Sequence, residues 1–203
     1  KADERRELWE SLGVVGDWLG GGARSPTGPE PDFEAADAAA AAARGGDSLE
    51  TIAREIEACR ACRLCEKRTR TVSGQGSAAP LAMVVGEGPG AEEDAKGLPF
   101  VGPAGQLLDK MLASIALDRN ENCFIANVVK CRPPGNRDPV PFEIEQCRPY
   151  LEAQVDFVDP AVAVTLGRFA TQLLLDTTKG ITRLRGREFP FRDGATLIPM
   201  LHP

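Results

Sequence analysis

Long apolar runs are missing from this sequence. The longest, six alanines at residues 38–43, falls far short of the ~18 apolar residues that a membrane-crossing helix needs, so no membrane span is expected. Also missing is a basic head followed by an apolar stretch and a small-residue cleavage site. Without such a secretory leader the expected compartment is reducing, the cytoplasm. There, six cysteines are metal ligands or buried apolar fillers rather than disulfides. The glycine-rich turn at residues 86–90 lacks both the Gly-Lys-Ser/Thr of a phosphate loop and the dinucleotide fingerprint, so it is weak as a phosphate cradle. An excess of positive charge is absent too: 24 Lys and Arg against 30 Asp and Glu give a net charge of -6. What remains, 42% apolar and 27% charged residues with 21 Gly and 16 Pro, is a globular composition that excludes collagen and a wholly disordered chain.

The acidity is unevenly placed. Residues 1–50 hold 11 of the 30 acidic and 5 of the 24 basic side chains, so the rest of the chain carries 19 of each and is neutral. Two basic clusters stand on that neutral body, Arg60, Arg63, Lys67, Arg68 and Arg70, and then Lys179, Arg183, Arg185, Arg187 and Arg192. They permit phosphate contact, although solvated surface charge looks the same. Leu8, Leu12, Val15 and Leu19 recur at helical spacing beside Trp9 and Trp18, which gives a short amphipathic helix over residues 4–19. Gly-, Pro- and Ala-rich sequence up to residue 47 then reads as a linker. Residues 1–47 are therefore expected to be an N-terminal extension whose helix either docks a protein partner or packs back on its own domain, and residues 48–203 the main domain.

Within that domain apolar runs alternate with helical patterns. Ser48 caps a helix carrying Ile52 and Ile56. Strands are expected at residues 81–85, 123–129, 161–166 and 196–201, and helices at 103–117, 141–158 and 168–175. Such alternation gives an α/β fold, three layers α/β/α around a central, mostly parallel four-stranded sheet. Residues 187–196 also read as a hairpin, hence one antiparallel edge pairing.

In such sheets ligands bind beyond the carboxyl ends of the strands. The first strand there runs into Gly86-Glu87-Gly88-Pro89-Gly90-Ala91-Glu92-Glu93-Asp94, the second ends at Asn127 before Lys130-Cys131-Arg132-Pro133-Pro134-Gly135-Asn136-Arg137, and the fourth ends at His202, the chain's one histidine. A carboxylate loop, an asparagine and a histidine thus converge, though singly each has a structural explanation: a solvated turn, an Asx cap, a hydrogen-bonded imidazole. Phe100, taken alone, is a core residue. Cys59-x2-Cys62 with Cys131 and Cys147 suits either tetrahedral zinc or an iron-sulfur cluster. Cys65 could compete for the same site, and Cys123, opening a strand, reads as a buried filler.

Taken jointly, Cys59-x2-Cys62-Arg-Leu, Gly86-Glu-Gly-Pro-Gly-x-Glu-Glu-Asp94, Leu98-Pro-Phe-Val-Gly-Pro-Ala-Gly-Gln-Leu-Leu108, Asn127-Val-Val-Lys-Cys-Arg-Pro-Pro-Gly-Asn136, Cys147 and His202-Pro203 resemble the family-4 uracil-DNA glycosylases over residues 59–203. That resemblance implies hydrolysis of the N-glycosidic bond of deoxyuridine in DNA, leaving an abasic site. It implies a structural 4Fe-4S cluster on Cys59, Cys62, Cys131 and Cys147, with Cys65 a bystander and with Arg60, Arg63 and Arg132 near the cluster. It implies a uracil pocket of Glu87, Gly88, Pro89, Glu93, Phe100, Asn127 and His202, in which Phe100 stacks on the base, Asn127 reads its edge and His202 donates to the developing oxyanion. Glu87, Glu93 and Asn136 are the candidates for activating water. A related branch that bonds covalently to uracil-DNA through a histidine in a basic insert is disfavoured, since neither insert nor histidine is present between residues 130 and 137.

The partner implied is uracil-containing DNA, with Arg183, Arg185 and Arg187 as candidate phosphate contacts, and a monomer is expected. Family members continue past His-Pro with a loop that fills the gap left by the flipped base, so the domain is expected to be cut short at Pro203. The rival readings are a redox-sensing iron-sulfur or zinc protein, which leaves Asn127, Phe100 and His202 without a task, and a module that binds uracil-DNA without cleaving it.

Overall fold

The structure, a computed structural model, describes residues 48–192 and 194–203. The helix expected over residues 4–19 and the linker after it lie outside the described residues. Ser48 caps helix α1 (Leu49–Ala58), its Oγ accepting from Thr51 N at 3.2 Å. The buried face of α1, Ile52 and Ile56, packs on Tyr150 and Ala153 of the long helix α4 (Pro141–Val158).

The sheet has six strands: β1 (Gln75–Gly76), β2 (Ala82–Gly86), β3 (Cys123–Asn127), β4 (Val162–Leu166), β5 (Phe189–Phe191) and β6 (Ala195–Met200). Their order is β1-β3-β2-β4-β6-β5. The four central strands are the expected ones and run parallel, as in Val84 opposite Ile125 on one side and Val164 on the other. Both edges are antiparallel, which corrects the four-stranded expectation to a mixed six-stranded sheet. The β5–β6 edge is the expected hairpin. Strand β1 escaped notice because two residues show no periodicity. It depends on Gly76, at φ 131°, where a methyl group would lie 2.1 Å from the Cys123 carbonyl oxygen.

Strands β2 and β3 are buried at every position, as continuous apolar runs covered on both faces should be. On one face Met83, Val85, Phe124 and Ala126 meet Cys147, Leu151 and Val155 of α4 and Ala170 of α5 (Arg168–Leu174). On the other, Ala82, Val84, Cys123 and Ile125 meet Phe100 and, from α3 (Pro103–Ala113), Leu108 and Leu112. These two clusters make the three layers. Helix α3 ends four residues earlier than its apolar pattern suggested. Ala116 turns to φ 58°, and Leu117 N–H closes the end on Leu112 O at 2.9 Å. Short helices α2 (Ala91–Lys96) and α6 (Ile181–Leu184) complete the chain. No helix among the described residues is long and apolar enough to cross a membrane.

Candidate active site

The carboxyl ends of β2, β3 and β6 open into a cleft of about 400 Å3. Glu87, Gly88, Pro89, Glu93, Phe100, Asn127, Asn136 and His202 all line it, so the structure brings together every residue singled out for uracil and water. At its base Asn127 is 1% exposed, and its Oδ1 is buried with no hydrogen-bond partner among the described residues. A buried amide oxygen without a donor costs about 1–3 kcal/mol, a cost that a ligand N–H would relieve. Gly86, the register neighbour of Asn127, makes the approach possible: a methyl group there would lie 2.5 Å from Asn127 Oδ1 and 2.5 Å from Phe100 Cζ. Strand β3 stops at Asn127, yet Val128 and Val129 still donate to Gly86 O and Glu87 O, at 2.9 and 3.0 Å, and hold the carboxylate loop against it.

Phe100 adopts φ 52°, a conformation costly for an aromatic residue, and is 7% exposed. Three neighbours hold it there. Arg119 donates from Nη2 to Phe100 O at 2.7 Å and from Nη1 to Pro99 O at 3.0 Å, while its Nε bonds Asp109 at 2.7 Å. Gly105 packs so closely that a methyl group would lie 1.8 Å from Phe100 O. Glu93 Oε1 accepts from Val101 N and Gly102 N at 2.8 and 2.9 Å. Sequence reasoning missed Arg119, since its loop carries no signal linking it to a site nineteen residues away. The Phe100 ring faces the exposed His202 ring, centroids 5.9 Å apart at 30°.

The two loop carboxylates differ. Glu93 also accepts from Gly90 N at 3.1 Å through Oε2, so both its oxygens are held by backbone. Burial pushes its carboxyl up, but the backbone donors from Gly102, Val101 and Gly90 outweigh burial and hold it below the ordinary value. Glu87 has no such donors among the described residues. Burial first, then repulsion from Asp138, pushes its carboxyl above the ordinary value, against a downward pull from Arg168 and His202. Asn136, at φ 55° as the last residue of the 3-10 turn Pro134–Asn136, accepts from Arg132 Nε at 2.7 Å through its Oδ1. Arg137 also borders the cleft and is held by a two-bond pair to the buried Glu143, at 2.6 and 2.9 Å.

Behind the cleft, Cys59, Cys62, Cys131 and Cys147 line one small cavity of about 10 Å3 with Arg68, Lys130 and Tyr150. Cys65 lines it too, from the 3-10 turn Arg63–Glu66, so the cavity by itself does not exclude it. All six cysteines are free thiols, and Cys123 sits buried in β3 as a filler. Among the described residues, no three His, Cys, Asp or Glu side chains are drawn into a ligand group. The donor chemistry nonetheless fits a thiolate-bound anionic cluster. Burial and mutual repulsion push Cys62 up and Cys147 up to about 12, so the thiols crowd one another and would ionise together only around a cation. Two cations attend them: Arg68 Nη1 donates to Cys131 Sγ at 3.2 Å, and Lys130 is fully buried, its ammonium pulled down to about 8 by burial and up by Cys147 and Cys131. Of the arginines expected here, Arg60 donates to the carbonyls of Glu57, Ala58 and Cys59, and Arg132 bonds Asn136.

Arg183, Arg185 and Arg187 are exposed. Gly186 N bonds Pro199 O at 2.8 Å, which sets this segment level with the carboxyl end of β6, the end that leads to His202.

A parallel core with a polar cleft at its strand ends and a thiol cavity behind defines an α/β enzyme scaffold, and comparison with known proteins gives its family. A model of the uracil DNA glycosylase superfamily matches residues 73–203, and the chain belongs to that superfamily. Within it the chain is similar to the type-4 uracil-DNA glycosylases of Sulfurisphaera tokodaii (42% identical, 77% of this chain and 74% of that one), Archaeoglobus fulgidus (48%; 70% and 73%) and Thermotoga maritima (42%; 76% and 81%), and type 4 is its family.

Proposed function

We propose that the cleft receives a uracil turned out of DNA and that the protein hydrolyses its N-glycosidic bond, leaving an abasic site for repair. The observation that carries this reading is the buried, unpartnered Asn127 Oδ1 at the base of a polar cleft. Uracil presents an N–H beside a carbonyl, so one amide can accept from the first and donate to the second; cytosine presents the reverse pattern and is refused. Phe100 stacks on the base, and the Gly88-Pro89 backbone closes its edge.

As the bond between C1′ and N1 breaks, its electron pair passes to uracil and the sugar becomes an oxocarbenium ion. His202 donates a hydrogen bond to the anion. Glu87, the carboxylate free of backbone donors, stabilises the cation and takes the proton of the water that attacks C1′, with Asn136 orienting that water. Glu93 is a positioning residue, because both its oxygens are spent on pinning the glycine-rich loop to the Phe100 loop. Cys59, Cys62, Cys131 and Cys147 would hold a 4Fe-4S cluster, with Cys65 outside the set. Such a cluster supplies a structural crosslink between residues 59–62, residue 131 and α4. Residues 48–203 form the catalytic domain, and residues 1–47 an extension.

A labelled oligonucleotide with one uracil, treated with the protein and then hot alkali, tests the reading against thymine and cytosine controls. Scission at uracil alone supports it, and scission nowhere sinks it. Two further results are expected. The working form of Glu87 is the anion, so kcat/KM falls as pH drops through its raised pKa, on the alkaline side of the ordinary glutamate value of 4.5. Glu87→Gln lowers the rate about 100-fold and abolishes that acid limb, while Asp138→Asn, removing a negative neighbour, moves the limb to lower pH. An acid limb unchanged in Glu87→Gln would assign the base elsewhere. For DNA, replacing Arg183, Arg185 and Arg187 with Gln flattens the dependence of log affinity on log salt by about 0.9 per lost phosphate contact, and an unchanged slope removes them from the interface.

A further inference from the structure

Lys130 is a fully buried lysine that the reaction does not use. Its Nζ donates to Asn127 O and to Gln154 Oε1, each at 2.7 Å, and Gln154 Nε2 donates in turn to Ser73 O. The main-chain carbonyl of Lys130 is committed as well, accepting from Val72 N at 2.8 Å.

The backbone explains why Asn127 needs this contact. The peptide between Asn127 and Val128 gives its N–H to Gly86 O on the β2 side. A peptide group directs its two polar ends oppositely, so the Asn127 carbonyl faces the other side, toward β1. But β1 pairs only with Ile125 and Phe124 and stops short. The carbonyl of the base-reading residue would be left buried at a strand end without a ladder partner, and the Lys130 ammonium takes it. A lysine is tolerated there because the cavity it borders is rich in sulfur that carries negative charge when a cluster is bound.

We propose that Lys130, braced by Gln154, is a positioning residue for uracil selection: it fixes the Asn127 peptide and thereby aims the amide that reads the base. This rests on the reading of Asn127 given above. Lys130 touches neither base nor sugar, so its loss falls on recognition of uracil and not on the grip on DNA.

The test uses the iron-loaded full chain and two ligands: free uracil, by calorimetry, and an oligonucleotide carrying a tetrahydrofuran abasic analogue, by fluorescence anisotropy. Lys130→Met and Gln154→Met are each expected to weaken uracil binding about ten-fold or more, with abasic-DNA affinity within about two-fold and iron per chain unchanged. Uracil affinity equal to that of the unaltered chain overturns the proposal, and so does a parallel loss of both ligands. If Lys130→Met does not fold, Gln154→Met, seven residues from the nearest cysteine of the set, decides by the same criterion. Asn127→Ala separates the two levels. If it binds uracil normally, the reading of Asn127 itself fails, whatever Lys130 does.

Discussion

Asn127→Ala is expected to lower kcat/KM for uracil excision about 1,000-fold while leaving the melting temperature unchanged or slightly higher. The two halves of this result have one cause. In the free protein Asn127 Oδ1 is buried and accepts nothing from the described residues, so deleting it removes a destabilising orphan and breaks no hydrogen bond that atom makes to them. In the proposed complex the same amide makes a pair of hydrogen bonds to the base in a site closed to water, where losing each leaves a buried group unpaired at a cost of about 2 kcal/mol, and the pair accounts for about three powers of ten. A residue kept for packing would behave oppositely, losing stability first and activity as a consequence. Asn127→Asp sharpens the test. An ionised carboxylate only accepts, so it repels the uracil carbonyl it should donate to, while its acceptor pair suits the amino group of cytosine. Uracil excision should fall at least as far as in Asn127→Ala, and any excision of cytosine that emerges identifies Asn127 as the discriminating group. Retained activity in both variants, measured on single-uracil oligonucleotides beside thermal melts, would remove Asn127 from the site.

The parts of this architecture that local sequence encodes were legible, and those that depend on distant pairings were not. Strands β2 and β3 announce themselves as uninterrupted apolar runs because both faces are covered, and α4 matches its expected bounds because Cys147, Leu151, Val155 and Val158 follow helical spacing. The edge strand β1 has two residues and no pattern of its own, since it exists only where β3 offers an edge. At the site, residues at strand ends could be placed together from the alternation of elements alone. Their division of labour could not. Glu87 and Glu93 are equivalent as letters, and they separate only when the folded loops bring three backbone N–H groups to Glu93 and none to Glu87. Arg119 and Lys130 likewise act across separations of 19 and 24 residues, on Phe100 O and Gln154 Oε1, which no local motif records.

Cys147→Ala is expected to abolish iron retention and to lower the melting temperature by more than about 10 °C. Without a cluster, Cys59, Cys62, Cys131 and Cys147 share one cavity in which burial and repulsion by neighbouring sulfurs keep the thiols of Cys62, Cys131 and Cys147 un-ionised, and no crosslink ties α1 and its following turn to the strand-end loop. What remains there is the contact of Ile52 and Ile56 with Tyr150 and Ala153 and the burial of Leu64 and Val72, a small core for the first twenty-five described residues. A structural metal site contributes on the order of 10 kcal/mol to folding, and at about 2–4 °C per kcal/mol in a domain of this size, losing about half of that lowers the melting temperature by about 10–20 °C. The damage should then spread to the cleft, because Lys130 lines the same cavity as Cys147 and donates to the Asn127 carbonyl. Cys65→Ala is the contrasting variant. It borders the same cavity, yet under the proposed ligand set it should keep iron, visible absorption and melting temperature close to those of the unaltered chain. Iron loss in Cys65→Ala with retention in Cys147→Ala would exchange the two in the ligand set. Retention in both, with an unchanged melting temperature, would mean that the cavity holds no cluster on which the fold depends.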